Sequence, residues 1–147
     1  MNIKYSITSG KEGLGITTLE TIYKGTCVWT SKLNENVFEY NEADTLKHLE
    51  SFRNLHEAKA FLDVTYGRGD KLCLILDDGR YMNHAASPNN NCRTDLTTGH
   101  CYAIRTILPG EQLYEDYAAF DHPTFLFALL KKYDCEPTYY DLPEKHS

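Results

Sequence analysis

Three stretches of this 147-residue chain carry residues whose types and spacing could do chemistry. The first is Gly13-Leu14-Gly15, followed downstream by Lys24-Gly25. Residues without a side chain let backbone amides and carbonyls come close to a ligand, yet the same pair serves any tight turn. No third glycine and no helical pattern follow, so this is not a dinucleotide fingerprint. The second stretch is Arg80-Tyr81-Met82-Asn83-His84-Ala85-Ala86-Ser87-Pro88-Asn89. It is a polar run in which His84 is either a working group or a buried histidine satisfied by backbone. The third runs from Tyr102 through Pro109-Gly110-Glu111-Gln112-Leu113-Tyr114-Glu115-Asp116 to Tyr117. A tyrosine hydroxyl accepts and donates hydrogen bonds on a stiff ring. With eleven tyrosines in the chain, residue type alone gives Tyr117 no role.

The elements that must position these residues read as follows. The opening SITSGKEGLGITTLETIYKGTCVWT holds β-branched and apolar runs broken by glycines, which predicts two or three short strands ending near a core Trp29. Residues 41–63 change period: Leu46, Leu49, Phe52, Leu55, Phe61 and Leu62 recur at helical spacing. This predicts a helical insert capped by Asn41 or Asp44. A strand returns over 71–76, a turn at Asp78-Gly79, and an irregular polar loop over SPNNNCRTD. A further strand is expected over 100–108, a turn at Pro109-Gly110, and a helix over 123–133 with Pro123 in its first turn. The last residues, CEPTYYDLPEKHS, read as irregular. No repeat or linker divides the chain, and periodicity predicts one strand-rich domain with one helical insert.

The second stretch resembles the SET-domain signature R-F-x-N-H-S-C-x-P-N, with Asn83-His84 and Pro88-Asn89 at the correct separation. The third resembles the family's A-x-R-x-I-x-x-G-E-E-L-x-x-D-Y, with Tyr117 on the catalytic tyrosine. Gly25-Thr26-Cys27-Val28-Trp29 is similar to the family's early strand. The resemblance implies a mainly β, β-clip-like SET fold with a C-terminal pseudoknot, a helical insert at about 41–63 and a C-terminal helix. It implies a SET domain over 1–119 and a helical tail over 120–147 packing on it. It further implies a protein-lysine N-methyltransferase using S-adenosylmethionine. Gly13, Leu14 and Gly15 would meet the cofactor, Asn83 its amino-acid end, and the backbone of His84 its adenine. The Tyr117 hydroxyl would face the transferred methyl and the lysine nitrogen. Arg80 and Asp116 read as structural partners of buried groups.

The chain departs from the pattern in three places. Ala85 and Ala86 replace Ser and Cys. Glu115 stands where many members carry Phe or Tyr, a position that tunes methyl number. A carboxylate there would pair with the lysine ammonium and oppose its deprotonation. Alternatively Glu115 faces away, and Tyr114 or Phe120, with Tyr66, lines the channel. Third, Cys135 stands alone where the family often has a cysteine-rich zinc segment, so no metal is expected. The tail is then expected to close the channel, with Phe120, Phe125, Tyr133 or Tyr139 as aromatic walls.

Composition bounds the partners. The five cysteines show no CxxC or CxC spacing, so free buried thiols are expected. A net charge of -6 disfavours direct nucleic-acid binding and suits a basic, lysine-containing protein segment, a histone tail first. No apolar run approaches the ~20 residues of a membrane span, and MNIKYSITSG lacks a secretory pattern. The expected location is therefore intracellular: nuclear or chromatin-associated if the substrate is a histone, otherwise cytoplasmic. A bare domain of this size could pair with itself to complete its surface. The competing readings are a catalytically inactive SET-fold module that binds protein partners, and a methyltransferase of a nonhistone protein.

Overall fold

A computed structural model of the chain describes residues 1–133. The opening alternation folds as an antiparallel hairpin, β1 (Tyr5–Gly10) and β2 (Gly13–Thr18), with Gly10 opposite Gly13. Gly13 takes φ +87°, a conformation that L side chains rarely adopt. Gly13-Leu14-Gly15 therefore opens a strand, and Lys11-Glu12 makes the turn. Strand β3 (Cys27–Trp29) buries Val28 and Trp29. Strand β4 (Val37–Tyr40) leads into the insert.

The insert holds two helices, α1 (Glu42–Glu50) and α2 (Leu55–Asp63). Asn41 caps α1, accepting from the Asp44 amide at 2.8 Å, and Asn54 caps α2, accepting from Glu57 at 2.9 Å. One apolar period spans both helices, which hides the break. The Asn54 side chain offers the backbone a cap where another turn would have continued. A second sheet follows in the order β4-β6-β5, from β5 (Thr65–Arg68) and β6 (Lys71–Ile75). The Asp78-Gly79 turn is drawn out into a 3-10 turn, Asp78–Tyr81, capped by Asp77.

Asn83-His84 and Tyr114-Glu115 lie in the largest sheet. Its strands are β7 (Asn83–His84), β8 (Cys92–Thr94), β9 (Cys101–Ala103) and β10 (Tyr114–Glu115), in the order β3-β9-β8-β10-β7. The polar run expected to hold no regular structure thus contains β8. Asn91 explains this: its side-chain oxygen Oδ1 accepts from the Tyr114 amide and its side-chain Nδ2 donates to the Gln112 carbonyl, both at 2.8 Å. A buried asparagine stands in for the neighbouring strand. The strand expected over 100–108 shortens to Cys101–Ala103 plus a bridge from Ile107 to Ile22. The Pro109-Gly110 turn is present, with Gly110 at φ +90° and the Glu111 amide donating to Leu108 at 3.0 Å.

Strand β10 runs parallel to both β7 and β8 and lies between them. The loop 85–91 that joins β7 to β8 therefore crosses β10, which is the pseudoknot. The helix α3 (Thr124–Lys132) follows, with Pro123 as its N-cap. Two apolar cores result. One gathers Ile16, Val28, Trp29, Met82, Ile107 and Leu113 from the sheets. The other packs Leu126, Leu129 and Leu130 of α3 against Leu49, Phe61 and Leu72. The tail helix thus rests on the insert. Cys27, Cys73, Cys92 and Cys101 are free thiols, whereas Cys135 and Tyr139 lie outside the described residues. No helix among the described residues is long and apolar enough to cross a membrane.

Candidate active site

Register brings the second and third motifs together: Tyr114 pairs with Asn83, and Glu115 with His84. Asp116 then ends the strand. Its carboxylate accepts from Ala118 at 3.0 Å, capping the 3-10 turn Tyr117–Ala119, and from Ser87 at 3.2 Å, tying down the crossing loop. Its partners are thus loop and turn amides on an exposed Ser87 and a half-buried Ala118, not the buried groups expected of it. The turn aims Tyr117 back at β7. Its amide donates to His84 Nδ1 at 3.0 Å, and the two rings lie 5.2 Å apart. Because Nδ1 accepts that bond, it carries no proton for Asp116, whose Oδ1 is 3.9 Å away. The Tyr117 hydroxyl donates to the Met82 carbonyl. The hydroxyl hydrogen is thereby occupied.

Consecutive residues Met82-Asn83-His84 separate two groups of candidates. On one side, Asn83 donates to the Leu14 carbonyl at 3.0 Å and to Gln112 Oε1 at 2.9 Å. Gly15 sits against both partners: a Cβ there would meet Gln112 Oε1 at 2.5 Å and Asn83 Nδ2 at 2.9 Å. Around Gly13 nothing lies within 4 Å of the corresponding position, and Leu14 is exposed. The Asn83 oxygen accepts no hydrogen bond among the described residues. Tyr114 belongs to this side, since its hydroxyl donates to Glu12 at 3.3 Å.

On the other side is a narrow cavity of about 50 Å³. Trp29, Tyr66, Met82, Tyr117, Phe120 and Glu115 are in its wall. The Phe120 ring packs 5.0 Å from Tyr66 and 5.9 Å from Tyr117. Tyr66, Glu115 and Phe120 thus line the cavity with Tyr117, and Tyr114 does not. Of the other aromatic candidates, Phe125 and Tyr133 pack into the α3 core. The Tyr66 hydroxyl is buried with no partner at hydrogen-bonding distance among the described residues. Burial, with the Cys73 thiol beside it, pushes it far up, so it stays protonated. Arg80 also faces the cavity, its Nε buried without a partner among the described residues. Among the described residues no cluster of ligands could hold a metal ion.

Glu115 is 8% exposed. One oxygen, Oε1, accepts from the Thr94 hydroxyl and, at 3.5 Å, from the Cys101 thiol. Burial raises the carboxyl above its ordinary range, and those two donors partly lower it.

Four groups escaped the sequence reading. The Met82 carbonyl acts through backbone, which leaves no mark on residue type. Gln112 and Asn91 lie inside the motif and the polar loop, but their long-range partners are invisible in sequence. The His84 ring positions Tyr117, a use that requires β7 and β10 to be neighbours.

Comparison with known proteins bears on the family and the fold. The family model described as SET domain matches residues 13–118. No curated protein sequence matches. Among solved structures, a Plasmodium falciparum protein proposed to be a histone methyltransferase is similar in fold, with TM-score 0.51 and 19% identity. The match covers 85% of this chain and 99% of that one.

Proposed function

Since the chain belongs to the SET-domain family, whose members are in general lysine methyltransferases, we propose that it methylates a protein lysine using S-adenosylmethionine. One observation carries the reading. Tyr117 is locked by His84 and the Met82 carbonyl in the wall of an aromatic cavity, beside the Asn83 group.

The residues on the Asn83 side fit the cofactor. The absence of a side chain at Gly15 lets Gln112 and Asn83 pack against its backbone, and the Asn83 oxygen can accept from an ammonium group. Gly13, Leu14, Gly15, Asn83 and the His84 backbone would hold it. When bound, S-adenosylmethionine supplies a methyl group on a positively charged sulfur. The chain's own residues do the rest. Tyr66, Phe120 and Trp29 sheathe an unbranched apolar stem and exclude water, which favours the neutral form of an amine. The Tyr117 oxygen accepts from that amine and aims its lone pair. Orientation of this kind is worth up to about 7–11 kcal/mol.

The substrate we propose is a lysine in a basic protein segment, a histone tail first. The net charge of -6 supports attraction to such a partner. The test is transfer of labelled methyl to histone peptides and to nonhistone protein, with Tyr117→Phe in parallel. Label on lysine that falls about a hundredfold or more in Tyr117→Phe, with unchanged unfolding temperature, supports the reading. Cofactor binding without transfer points instead to a noncatalytic binding module.

A further inference from the structure

Glu115 belongs to two cavities at once. With Thr94 and Phe120 it forms the partition between the narrow cavity at Tyr117 and a second one of about 380 Å³. The second is rimmed by the exposed Lys24, Ser87 and Arg93, so it reaches the surface. The two donors to Glu115 both bind Oε1, and Oε2 accepts nothing among the described residues. A carboxylate thus stands with one oxygen held and one free, between an apolar channel and the outside. Building on the proposed methyl transfer, we propose that Glu115 is the base that takes the proton from the incoming lysine ammonium and releases it through the second cavity.

The step balances. A proton leaves Nζ of the lysine ammonium for Glu115 Oε2, giving a neutral amine and a neutral carboxylic acid. The amine keeps the electron pair it needs to attack the methyl carbon, and the carbon–sulfur pair departs with sulfur. The carboxylic acid then loses its proton to water in the second cavity. Ordinary lysine and glutamate differ by about six pH units, which would forbid the first transfer in water. Here both sides of that gap close. Burial raises Glu115, and the same apolar wall disfavours the ammonium. The pairing expected to oppose reaction is converted into a proton transfer.

The other groups facing Glu115 do not compete for the proton. Across the channel, Tyr66 is held protonated by burial, and the Arg80 guanidinium carries only donors. On its own sheet, burial likewise keeps the Cys101 thiol, beside Cys92, protonated. His122 also lines the channel, but burial lowers it, making it a weak acceptor, and its ring lies against the Ala118 carbonyl. Asp63, its carboxyl also raised by burial, lines the same channel but is exposed to water. In the second cavity Lys24, Arg93 and Asp116 stand at the exit.

Two measurements test this. The first is the pH–rate profile of wild type, Glu115→Gln, Thr94→Val and His122→Gln on a lysine peptide, with unfolding temperatures recorded. Glu115→Gln should fall about a hundredfold at pH 7 and recover as pH approaches that of free lysine, because solvent then does the deprotonation. Thr94→Val removes a donor that lowers Glu115, so its bend should move to higher pH. The second uses protein labelled with 13C at glutamate carboxyls, the Glu115 signal being the one absent from Glu115→Gln. A lysine peptide should shift that signal, and a norleucine peptide should not. A Glu115→Gln rate equal to wild type, or reduced equally at every pH, overturns the proposal while leaving methyl transfer standing. So does a profile that moves in His122→Gln alone. A wild type that transfers no methyl group overturns both readings.

Discussion

The α3 core and the β7–β10 region are built on opposite terms. In the first, Leu126, Leu129 and Leu130 bury against Leu49, Phe61 and Leu72, and the helices capped by Asn41 and Asn54 supply Leu49 and Phe61. Its interactions are apolar, interchangeable and set by helical period. In the second, strands β7 and β10 have two residues each, too few to hold themselves. Side chains do that work. Asn91 bonds both Gln112 and Tyr114, Asp116 bonds Ser87 and Ala118, and His84 receives Tyr117. The contrast teaches where precision is required. The proposed lysine channel tolerates little displacement of Tyr117, and directional polar bonds fix position where apolar contact only fills space.

The comparison can be broken by substitution. The largest effect is expected at Asn91→Ala. It leaves the Tyr114 amide and the Gln112 carbonyl without partners, at about 1–3 kcal/mol each when buried. Urea unfolding should show a loss of about 2–5 kcal/mol, and cofactor binding by calorimetry should vanish with it. Retained binding would mean that the asparagine supports stability alone. Next is Leu126→Ala, at about 2–5 kcal/mol for the cavity left in the α3 core. Below its lowered unfolding temperature it should bind cofactor as wild type does. A binding defect there would show the two regions to be one unit.

A pH test sharpens the same contrast from inside the sheets. Burial pushes the Cys73 thiol up to about 11, against an ordinary 9.0. The folded state then holds a proton that the unfolded chain has released, so stability falls as pH rises from 9 through 11. The loss attributable to this thiol is at most about 2–3 kcal/mol. It is read as the difference between wild type and Cys73→Ala in urea titrations from pH 8 to 11. No narrowing of that difference would place the thiol in contact with water. The smallest effect is expected at Asn54→Ala. Loss of the α2 cap should cost about 1 kcal/mol and leave methyl transfer unchanged.

What could be read from sequence follows from what is local. Helical period located the insert and α3, glycine and proline marked the turns, and motif spacing singled out Asn83, His84 and Tyr117. Those signals live within a few residues, where propensity and turn chemistry act. The break between α1 and α2 was missed because both helices present one continuous apolar period. Strand β8 was missed because its pairing partners, β9 and β10, come later in the chain. Tyr114 and Glu115 could not be told apart from sequence. Adjacent strand residues point to opposite faces, and only the register decides which face meets the channel. The sequence therefore determined the residues available for chemistry and their order. The tertiary structure alone decided that Glu115 faces the cavity, that Tyr114 meets Glu12, and that the His84 ring holds Tyr117. Each of these depends on where β10 runs, and its energy does not exist until β10 lies between β7 and β8.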